Sequence, residues 1–540
     1  METTRFTHIV VGAGSAGCVV TAKIVENPNS HVLLIEAGPD SNPAGAEVPQ
    51  GVRNARKVPM KGQSELFDPT IDWNVVVDIP GGQSMIVPQA KIMGGGSSIN
   101  GGTALRNTAA DCREWAGLGN DSWDFDTVSR IYQELEDDEL RGTRGLHPIV
   151  RTLPDEAGRI QKAFAESALA SGFQGVLDFN EPGAEGVGPS PVCRRGHQRV
   201  SASNTFIDPI RGRKNLTILT GTEVDMVEFS GKRATGVVLA DGRKIAASEE
   251  VIISAGGIFS PAILQRSGLG SSSLLNSLGI STISDLPVGH NLSDHVCIPI
   301  VAKPRIGAYA NDDYSLQMQA RWSSSLLPGW TDLQMVCFSY LNAPVPSPGT
   351  QARSLSGSAV GHVAGIGCNL NKPTSMGSVM IKCTDAREAP KVAPNYLQTD
   401  QDRKAAREVV RKAFEVITSA PMQRVLTEPT GLDVSILESD ESLDDWIQRQ
   451  YSTTYHFSGT CRMADQDKGG VVDQSGRVYG VQGLRVCDAS IIPTSPAANT
   501  MWTTMMFAQR IGKLVAASYT EEKYVTQDFD KRMVLGASRL

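Results

Sequence analysis

The sequence predicts an α/β protein in which a domain with a parallel sheet is combined with an α+β cap of antiparallel strands and helices. Three observations predict this class. The first residues follow a strand, turn, helix, strand pattern, the middle of the chain has short alternating runs, and the region after residue 300 mixes strands with helices. With 540 residues, 40% hydrophobic and 20% charged, the chain is too long for one compact core, so we expect two interlocked domains.

The amino-terminal segment predicts one β-α-β unit. Phe6–Val11 is a short apolar strand, residues 12–17 form a glycine-rich turn, and residues 18–25 form a helix of small apolar residues. A second strand follows at 31–35 and ends at Glu36. Because a helix connects the two strands, we expect them to lie parallel in one sheet.

Two later regions predict different sheets. An antiparallel meander is predicted from four short runs separated by glycine turns, at 216–219, 223–229, 234–239 and 250–253. The cap is predicted from strand-like runs and helices at 333–341, 360–366, 378–382, 403–418 and 443–449. The acidic run 134–139 is interpreted as a solvated helix face.

Composition and charge exclude several classes of protein. The formal net charge of −7 leaves no basic surplus for a phosphate backbone, so we expect no nucleic-acid partner. Nine scattered cysteines without a C-x-x-C pair argue against a disulfide framework or a zinc site, and we predict no metal. The chain has neither a signal-peptide pattern nor an apolar run of about 18 residues, so we expect no membrane association.

The first motif with chemical meaning is Gly12-x-Gly14-x-x-Gly17, followed by Glu36 at the end of the second strand. The first glycine permits a tight turn, the second lets the backbone approach a pyrophosphate, and the third lets the helix pack on the strand. The helix amino terminus then favours the phosphates, and Glu36 would accept hydrogen bonds from a ribose. This arrangement predicts a dinucleotide-binding site.

The second motif is the glycine block at residues 93–102, Met93-Gly94-Gly95-Gly96-Ser97-Ser98-Ile99-Asn100-Gly101-Gly102. Three consecutive glycines favour neither a helix nor a strand interior. The serines and the asparagine that follow supply hydrogen-bond donors, so we expect a flat or anionic group to lie against this backbone. A flexible loop is the alternative interpretation.

Four ordered blocks of this sequence resemble the glucose-methanol-choline (GMC) family of flavin oxidoreductases, over about residues 6–515. They are the fingerprint that continues through Leu33-Leu34-Ile35-Glu36-Ala37-Gly38, the block 94–100, the segment 254–270, and the carboxy-terminal His456-x-Ser458-Gly459-Thr460-Cys461-Arg462-Met463 with 484–490. The segment Gly289-His290-Asn291-Leu292-x-Asp294-His295 is a smaller echo of the family.

The resemblance implies FAD, bound by a Rossmann-like domain built from the segments 1–155, 198–300 and 455–520. It implies a substrate-binding cap at 156–197 and 301–454, and leaves 521–540 as a tail. The residues that it places at the cofactor are Gly12, Gly14, Ser15, Ala16, Gly17, Glu36, Ala37, Met93, Gly95, Ser97, Asn100, Gly101, Val224, Ala255, Asp488, Ala489, Asn499 and Thr500. Some relatives join a histidine covalently to the flavin where this chain has Ile99, so we predict a non-covalent FAD.

The resemblance implies oxidation of an alcohol, with hydride transfer to flavin N5 and His456 as the general base. Asn499 is expected to face His456 across the substrate; a shift of two residues would place Met501 there, and a helix-capping role is the alternative for Asn499. The other histidines, including His290, His295 and His362, are interpreted as structural. A non-redox lyase or cyclase that uses His456 as acid or base remains the alternative function.

Four apolar or aromatic residues are candidates for the substrate pocket, and they favour a bulky or aromatic alcohol: Tyr455, Phe457, Met501 and Trp502. The last three residues, Ser538-Arg539-Leu540, are a variant of the S-K-L address. They predict recognition by the peroxisomal import receptor, with a cytoplasmic location otherwise. A peroxisome disposes of hydrogen peroxide, so this ending favours an oxidase that uses O2 as acceptor.

Overall fold

Two large sheets, each covered by helices, form the framework of the protein. The computed structural model describes residues 6–41, 50–56, 70–310, 312–344 and 360–519. One sheet is largely parallel and the other is antiparallel. The α/β class with an antiparallel second domain, predicted from the sequence, is therefore confirmed.

The first sheet has seven strands. Its parallel part contains, in spatial order, Leu216–Leu219, Val32–Ile35, Phe6–Val11, Lys244–Ile253 and Leu484–Val486. Arg233–Leu239 and then Val224–Ser230 continue it by antiparallel pairing on Lys244–Ile253. The ten-residue strand Lys244–Ile253 thus joins the meander to the parallel sheet.

The strand Leu216–Leu219 corrects one prediction. It does not belong to the meander; it pairs in parallel with Val32–Ile35 at the edge of the seven-stranded sheet. The apolar pattern of this four-residue strand would be the same whether it paired with the meander or with Val32–Ile35. Such a pattern shows which face of a strand is buried, but it does not show which strand lies alongside. The meander consists of the three strands between Val224 and Ile253.

The helix Ser15–Val25 connects the first two parallel strands and lies against the carboxy-terminal helix Thr500–Ser518. Gly512 allows this close approach, because a Cβ atom there would lie 2.7 Å from the Lys23 Cβ. Both helices are mostly buried, which places their apolar side chains in the core of the cofactor-side domain. The amino-terminal ends of both helices point into the cavity described below.

The second sheet has six antiparallel strands and forms the cap. In spatial order they are Ser452–Thr453, Val296–Ala302, Val360–Leu370, Leu333–Pro344, Leu316–Trp322 and Gly186–Pro189. The helix Asp400–Ile417 packs against one face of this sheet. The other face is turned toward the seven-stranded domain and lines the cavity.

Smaller elements complete the fold. A four-stranded sheet contains Ser378–Met380, Lys391–Ala393, Val75–Ile79 and Gln83–Val87. Three two-stranded sheets pair Leu269–Gly270 with Ser284–Asp285, Glu136–Asp138 with His147–Ile149, and Arg194–Arg195 with Gln198–Arg199. The remaining α-helices are Gln50–Arg53, Gly96–Ile99, Ala109–Gly117, Phe125–Leu135, Arg159–Ala170, Gly256–Arg266, Ser272–Ser277, Ala420–Gln423, Val434–Leu437 and Asp440–Gln450.

The acidic run 134–139 corrects a second prediction. The helix ends at Leu135, and the strand Glu136–Asp138 follows with both of its terminal carboxylates buried. Glu136 pairs with Arg106, and Asp138 accepts two hydrogen bonds of 2.9 Å from Arg151. Paired arginines therefore keep Glu136 and Asp138 in the interior, because a buried carboxylate is tolerated when it is paired, whereas Glu134 on the helix is exposed as predicted.

Parts of the sequence-based domain scheme remain predictions. The predicted boundary between residues 300 and 301 falls inside the strand Val296–Ala302, which belongs to the six-stranded sheet. None of the helices in the described ranges is both long and apolar enough to cross a bilayer. Ser538-Arg539-Leu540 lies outside the described residues, so peroxisomal import stays a prediction.

Candidate active site

The glycine turn after the first strand supports close backbone contacts. Gly12 has φ +96°, and Gly17 packs so closely on the Gly12 carbonyl that a Cβ atom there would lie 1.8 Å from the oxygen. Gly14 differs, because its backbone is not left-handed and a Cβ atom would meet only the Ser254 carbonyl, at 3.9 Å. Nothing in the described protein requires glycine at position 14, and the open space before it is part of the cavity.

Glu36 lies at the end of the second strand, 7% exposed, at the wall of the cavity. Its Oε2 accepts a hydrogen bond from the Ala13 amide at 2.8 Å, and its Oε1 accepts one from the Gly38 amide at 2.9 Å. Burial raises the pKa of this carboxyl above its ordinary value, although both amides oppose that shift. Each oxygen keeps a lone pair for a ligand hydroxyl.

The second glycine block is joined to the first. The Gly94 amide donates to the Ala13 carbonyl at 2.7 Å, and a Cβ atom on Gly95 would lie 2.7 Å from the Gly14 Cα. Asn100 lines the cavity, and its side-chain amide donates to the Met501 sulfur at 2.9 Å. The two glycine segments therefore form one continuous backbone surface.

Arg199 supports this surface, although it is not among the residues that the sequence predicts for the site. Its guanidinium donates to the backbone carbonyls of Val52 and Asn100, and burial lowers its pKa to about 10. No motif in the sequence marks this arginine, since it lies 99 residues from Asn100. Its contacts hold the end of the glycine block in place.

Asp488 lies where the seven-stranded sheet meets the cavity. Its Oδ2 accepts from the Gly256 amide at 2.8 Å and from the Ser260 hydroxyl, and its Oδ1 accepts from the amide and hydroxyl of Ser490. These four hydrogen bonds hold the amino terminus of the helix Gly256–Arg266 against the turn that carries Ala489. Asp488 thus fixes the backbone around the cavity.

His456 lies at the other end of the cavity, at the boundary with the cap. Its backbone amide donates to Asp294 Oδ1 at 2.7 Å, and Tyr396 and Thr453 donate their hydroxyls to Asp294 Oδ2. Burial raises the pKa of Asp294 to about 6 against these three hydrogen bonds. Burial also lowers the pKa of His456 to about 3, so its imidazole is neutral near pH 7.

A second histidine, His295, contacts His456 directly. The two Nδ1 atoms are 2.8 Å apart, while His295 Nε2 lies 3.0 Å from the Pro496 carbonyl oxygen. Because that carbonyl can only accept, His295 carries its proton on Nε2 and presents an unprotonated Nδ1. Burial lowers the pKa of His295 well below its ordinary value, with a further contribution from His456.

The contact with His295 fixes the tautomer of His456. Since the His295 Nδ1 is an acceptor, His456 Nδ1 must carry the proton and donate it. Thr454 agrees with this assignment: its hydroxyl donates to the His295 carbonyl at 3.1 Å, so its oxygen accepts from His456 Nδ1 at 2.9 Å. The lone pair of His456 therefore lies on Nε2.

Asn499 faces that lone pair. Its Nδ2 lies 3.5 Å from His456 Nε2, and its buried Oδ1 has no hydrogen-bond partner among the described residues. Asn499 occupies the N-cap position of the helix Thr500–Ser518, but its side chain makes no capping hydrogen bond. Asn499 is thus placed against His456, while Met501 lines the same cavity and its sulfur accepts from Asn100.

The four predicted pocket residues separate into two groups. Tyr455, Phe457 and Met501 line the cavity, and Tyr455 has φ +66°, a conformation that a bulky residue rarely adopts. Trp502 lies elsewhere: it is fully buried, with its ring 6.1 Å from Tyr132 and 5.4 Å from His147. Successive residues of a helix are rotated by about 100°, so the Trp502 side chain lies in the core and does not line the pocket beside Met501.

One cavity of about 470 Å³ joins the glycine surface to His456. The predicted residues that line it are Gly12, Gly14, Ser15, Ala16, Glu36, Ala37, Gly95, Asn100, Gly101, Val224, Ala255, Tyr455, His456, Phe457, Asp488, Ala489, Asn499, Thr500 and Met501. Gly17, Met93 and Ser97 lie behind this surface; Ser97, for example, donates to the Gly94 carbonyl at 2.6 Å and accepts from the Ala202 amide.

The residues of the cavity fit a flavin dinucleotide. Gly14 leaves open space that no part of the described protein fills, two helix amino termini favour an anion, and Asn499 supplies an unpaired acceptor near the imidazole. A glycine surface at the carboxyl ends of parallel strands is where such folds bind dinucleotides. Together with an imidazole under an antiparallel cap, this arrangement defines the class of dinucleotide-dependent enzymes with a base facing the cofactor cavity.

Comparison with known proteins gives the family. The GMC oxidoreductase profiles match residues 6–297 and 373–508. The chain is 31% identical over 541 residues to 5-(hydroxymethyl)furfural oxidase of Methylovorus sp. (strain MP688), covering 95% of this chain and 99% of that protein. It is 29% identical to oxygen-dependent choline dehydrogenase of Vibrio vulnificus (strain YJ016), covering 95% and 94%.

Solved structures show the same fold. Pyridoxine 4-oxidase from Mesorbium loti matches with a TM-score of 0.83 and 26% identity, over 94% of this chain and 99% of that chain. A fungal aryl-alcohol oxidase matches in fold, with a TM-score of 0.78 at 20% identity. The chain belongs to the GMC oxidoreductase family, and it is an FAD-dependent oxidoreductase that acts on CH–OH donors.

Proposed function

We propose that this protein oxidises a neutral, bulky or aromatic alcohol to the carbonyl compound, with His456 as the general base and Asn499 as its hydrogen-bonding partner. The observation that carries the proposal is the chain of contacts from Pro496 through His295 to His456, which assigns the tautomer of His456. The Pro496 carbonyl orients His295, and His295 in turn leaves the His456 Nε2 lone pair 3.5 Å from Asn499 in the cavity. A neutral imidazole with its lone pair on Nε2 is the form that can accept a hydroxyl proton.

The residues that would hold the cofactor follow from the cavity. Gly12, Gly14 and the start of the helix Ser15–Val25 would cradle the phosphates, and Glu36 would accept from the ribose. The segments around Val224, Gly95–Asn100, Ala255, Ala489 and Thr500 would surround the remainder. When bound, FAD supplies the acceptor for the hydride, after which O2 takes the electrons. The Ile99 side chain offers no group for a covalent link, so we propose a dissociable FAD.

The cap wall supports an uncharged substrate. The six-stranded sheet contributes Pro299, Leu316, Val336 and Phe338 to the cavity, and none of its described lining residues is charged. A quaternary ammonium group would lose its hydration there without gaining a carboxylate partner. This environment favours an aromatic alcohol over choline.

Anaerobic mixing of the purified yellow protein with benzyl alcohols tests the proposed function. We expect the flavin absorbance to bleach, an aldehyde to form in equal amount, and air to restore the colour with release of hydrogen peroxide. Formation of product while the flavin stays oxidised would instead establish the lyase or cyclase alternative. No change with any alcohol would contradict both the reaction and the substrate class.

The Asp294 carboxyl is expected to set the acid limb of the pH profile. Its pKa is raised to about 6, whereas that of His456 is lowered to about 3. As the pH falls through 6, Asp294 gains a proton and loses acceptor capacity for the His456 amide, so kcat/KM should decline. Asp294→Asn should lower kcat/KM about tenfold, because one hydrogen bond to a charged group is lost. The variant should also lack the acid limb of the pH profile. An unchanged limb near pH 6 in the variant would show that another group titrates.

A further inference from the structure

The six-stranded sheet presents the polar side chain of Asn369 to a largely apolar part of the cavity. Along Val360–Leu370, Ile366, Cys368 and Leu370 pack into the core beneath the helix Asp400–Ile417, while Gly367 and Asn369 face the cavity. The neighbouring strands contribute Pro299, Leu316, Val336, Phe338 and Leu341 to the same wall. Asn369 is 6% exposed and is the carboxamide of this wall.

Buried amides on the same face of the sheet fix the orientation of Asn369. Gln334 Nε2 donates to Gln319 Oε1 at 2.7 Å, so Gln334 turns its Oε1 toward Asn369 and Asn371. That oxygen accepts from Asn369 Nδ2 at 3.2 Å and from Asn371 Nδ2 at 3.4 Å. The amide nitrogen of Asn369 is thus committed to the cluster, and its oxygen is directed away from it.

The Asn369 Oδ1 atom is buried and has no hydrogen-bond partner among the described residues. Burying an acceptor without a partner is unfavourable, and such atoms in folded proteins usually receive a hydrogen bond from something. On the cavity side, the described side chains near this oxygen are apolar except for the Cys297 thiol, which is at best a weak donor, so a molecule in the cavity is the source of a strong donor.

The sheet register relates Asn369 to the base. Asn369 pairs with Cys297, and Cys297 pairs with Ser452 in the strand that ends three residues before His456. Two strand spacings separate Asn369 from Ser452, about 10 Å. A substituted aromatic alcohol that lies along this wall could therefore extend from the region of Ser452 and His456 toward Asn369.

We propose that Asn369 is a specificity-determining residue that accepts a hydrogen bond from a second O–H or N–H group of the substrate, remote from the carbon that is oxidised. The substrate is then an aromatic alcohol with two polar groups: the hydroxyl that loses its proton to His456, and a ring donor held by Asn369 Oδ1. This inference rests on the proposed function and narrows its substrate class.

The test compares benzyl alcohols that carry a ring hydroxyl, at the meta or para position, with the matching methoxy compounds. The kcat/KM for anaerobic flavin reduction is measured for wild type and Asn369→Leu. Wild type should prefer at least one hydroxy compound by about 10- to 100-fold, because a site built around a donor rejects the analogue that lacks it. Asn369→Leu should reduce this ratio to near one while the rate with the methoxy compound changes little.

Two further variants keep the result interpretable. Asn371→Leu removes an amide from the same cluster without touching the cavity wall, so it should keep the wild-type preference. Asn369→Asp retains the acceptor and should retain the preference even if the leucine variant is unstable in a thermal melt. An equal response of wild type to both alcohols, or an unchanged ratio in Asn369→Leu, would overturn this inference alone. Absence of bleaching with every alcohol would overturn the proposed function, and this inference with it.

Discussion

Replacing His456 by alanine should reduce the anaerobic rate of flavin reduction by about 100- to 10,000-fold, the usual contribution of a general base. The variant should remain yellow, because the glycine surface that would carry the cofactor lies at the other end of the cavity. Without the imidazole, no other described group presents an unprotonated ring nitrogen opposite Asn499. Stopped-flow absorbance at saturating alcohol gives the limiting rate directly.

His362→Ala serves as the matched control for this experiment. His362 is an exposed histidine of the cap sheet, so its replacement should leave the rate within twofold of wild type, the range of a neutral surface change. His456→Gln separates loss of the base from loss of volume, since an amide fills much of the space but cannot take up the proton. If His456→Ala keeps a tenth or more of the wild-type rate, the imidazole is not the base.

Gly14→Ala should weaken FAD binding by about 10- to 100-fold, because the added methyl group would occupy space that the bound cofactor would fill. The folded chain itself accommodates the methyl group, because the nearest described atom, the Ser254 carbonyl oxygen, is 3.9 Å away and the backbone is not left-handed. Only a ligand lying against this glycine would resist the change. The apoprotein should therefore fold normally and show its defect on titration with FAD.

The apoprotein for this titration is prepared by acid treatment, which should leave the flavin in the supernatant if it is dissociable. Gly212→Ala provides the control, since Gly212 is exposed and has open space around the added methyl group. We expect it to bind FAD like wild type. Flavin that precipitates with the chain would contradict the non-covalent proposal, and equal affinity of Gly14→Ala and wild type would place the phosphates elsewhere.

The sequence predicted the elements whose signals are local. The fingerprint around Gly12 needs particular backbone conformations at fixed spacings, so its strand, turn and helix could be located before the structure was known. His456 belongs to one of the four blocks that resemble the family, and Asn499 was expected from its position 43 residues later; the structure places the two side chains 3.5 Å apart. These features are defined by residues that are close in sequence, belong to a distinctive block, or lie at an expected spacing from one.

Features that depend on long-range contacts could not be predicted in this way. His295 was interpreted as structural, yet it contacts His456 across 161 residues and sets its tautomer. Asp294 next to it holds the His456 amide, and nothing in the local pattern distinguishes that carboxylate from an ordinary loop aspartate. Trp502 follows Met501 directly, but one residue of helical rotation separates a cavity wall from the core.

The contact between His295 and His456 has a consequence for the reaction as a whole. Among the described residues, no carboxylate is hydrogen-bonded to the ring of His456; Asp294 accepts a hydrogen bond from the main-chain amide of His456 but not from its ring. In the proposed reaction the imidazolium formed with each substrate would have no carboxylate hydrogen-bonded to its ring, which makes its burial unfavourable. His456 therefore holds the substrate proton only within one turnover, and the enzyme must release that proton before the next alcohol reacts.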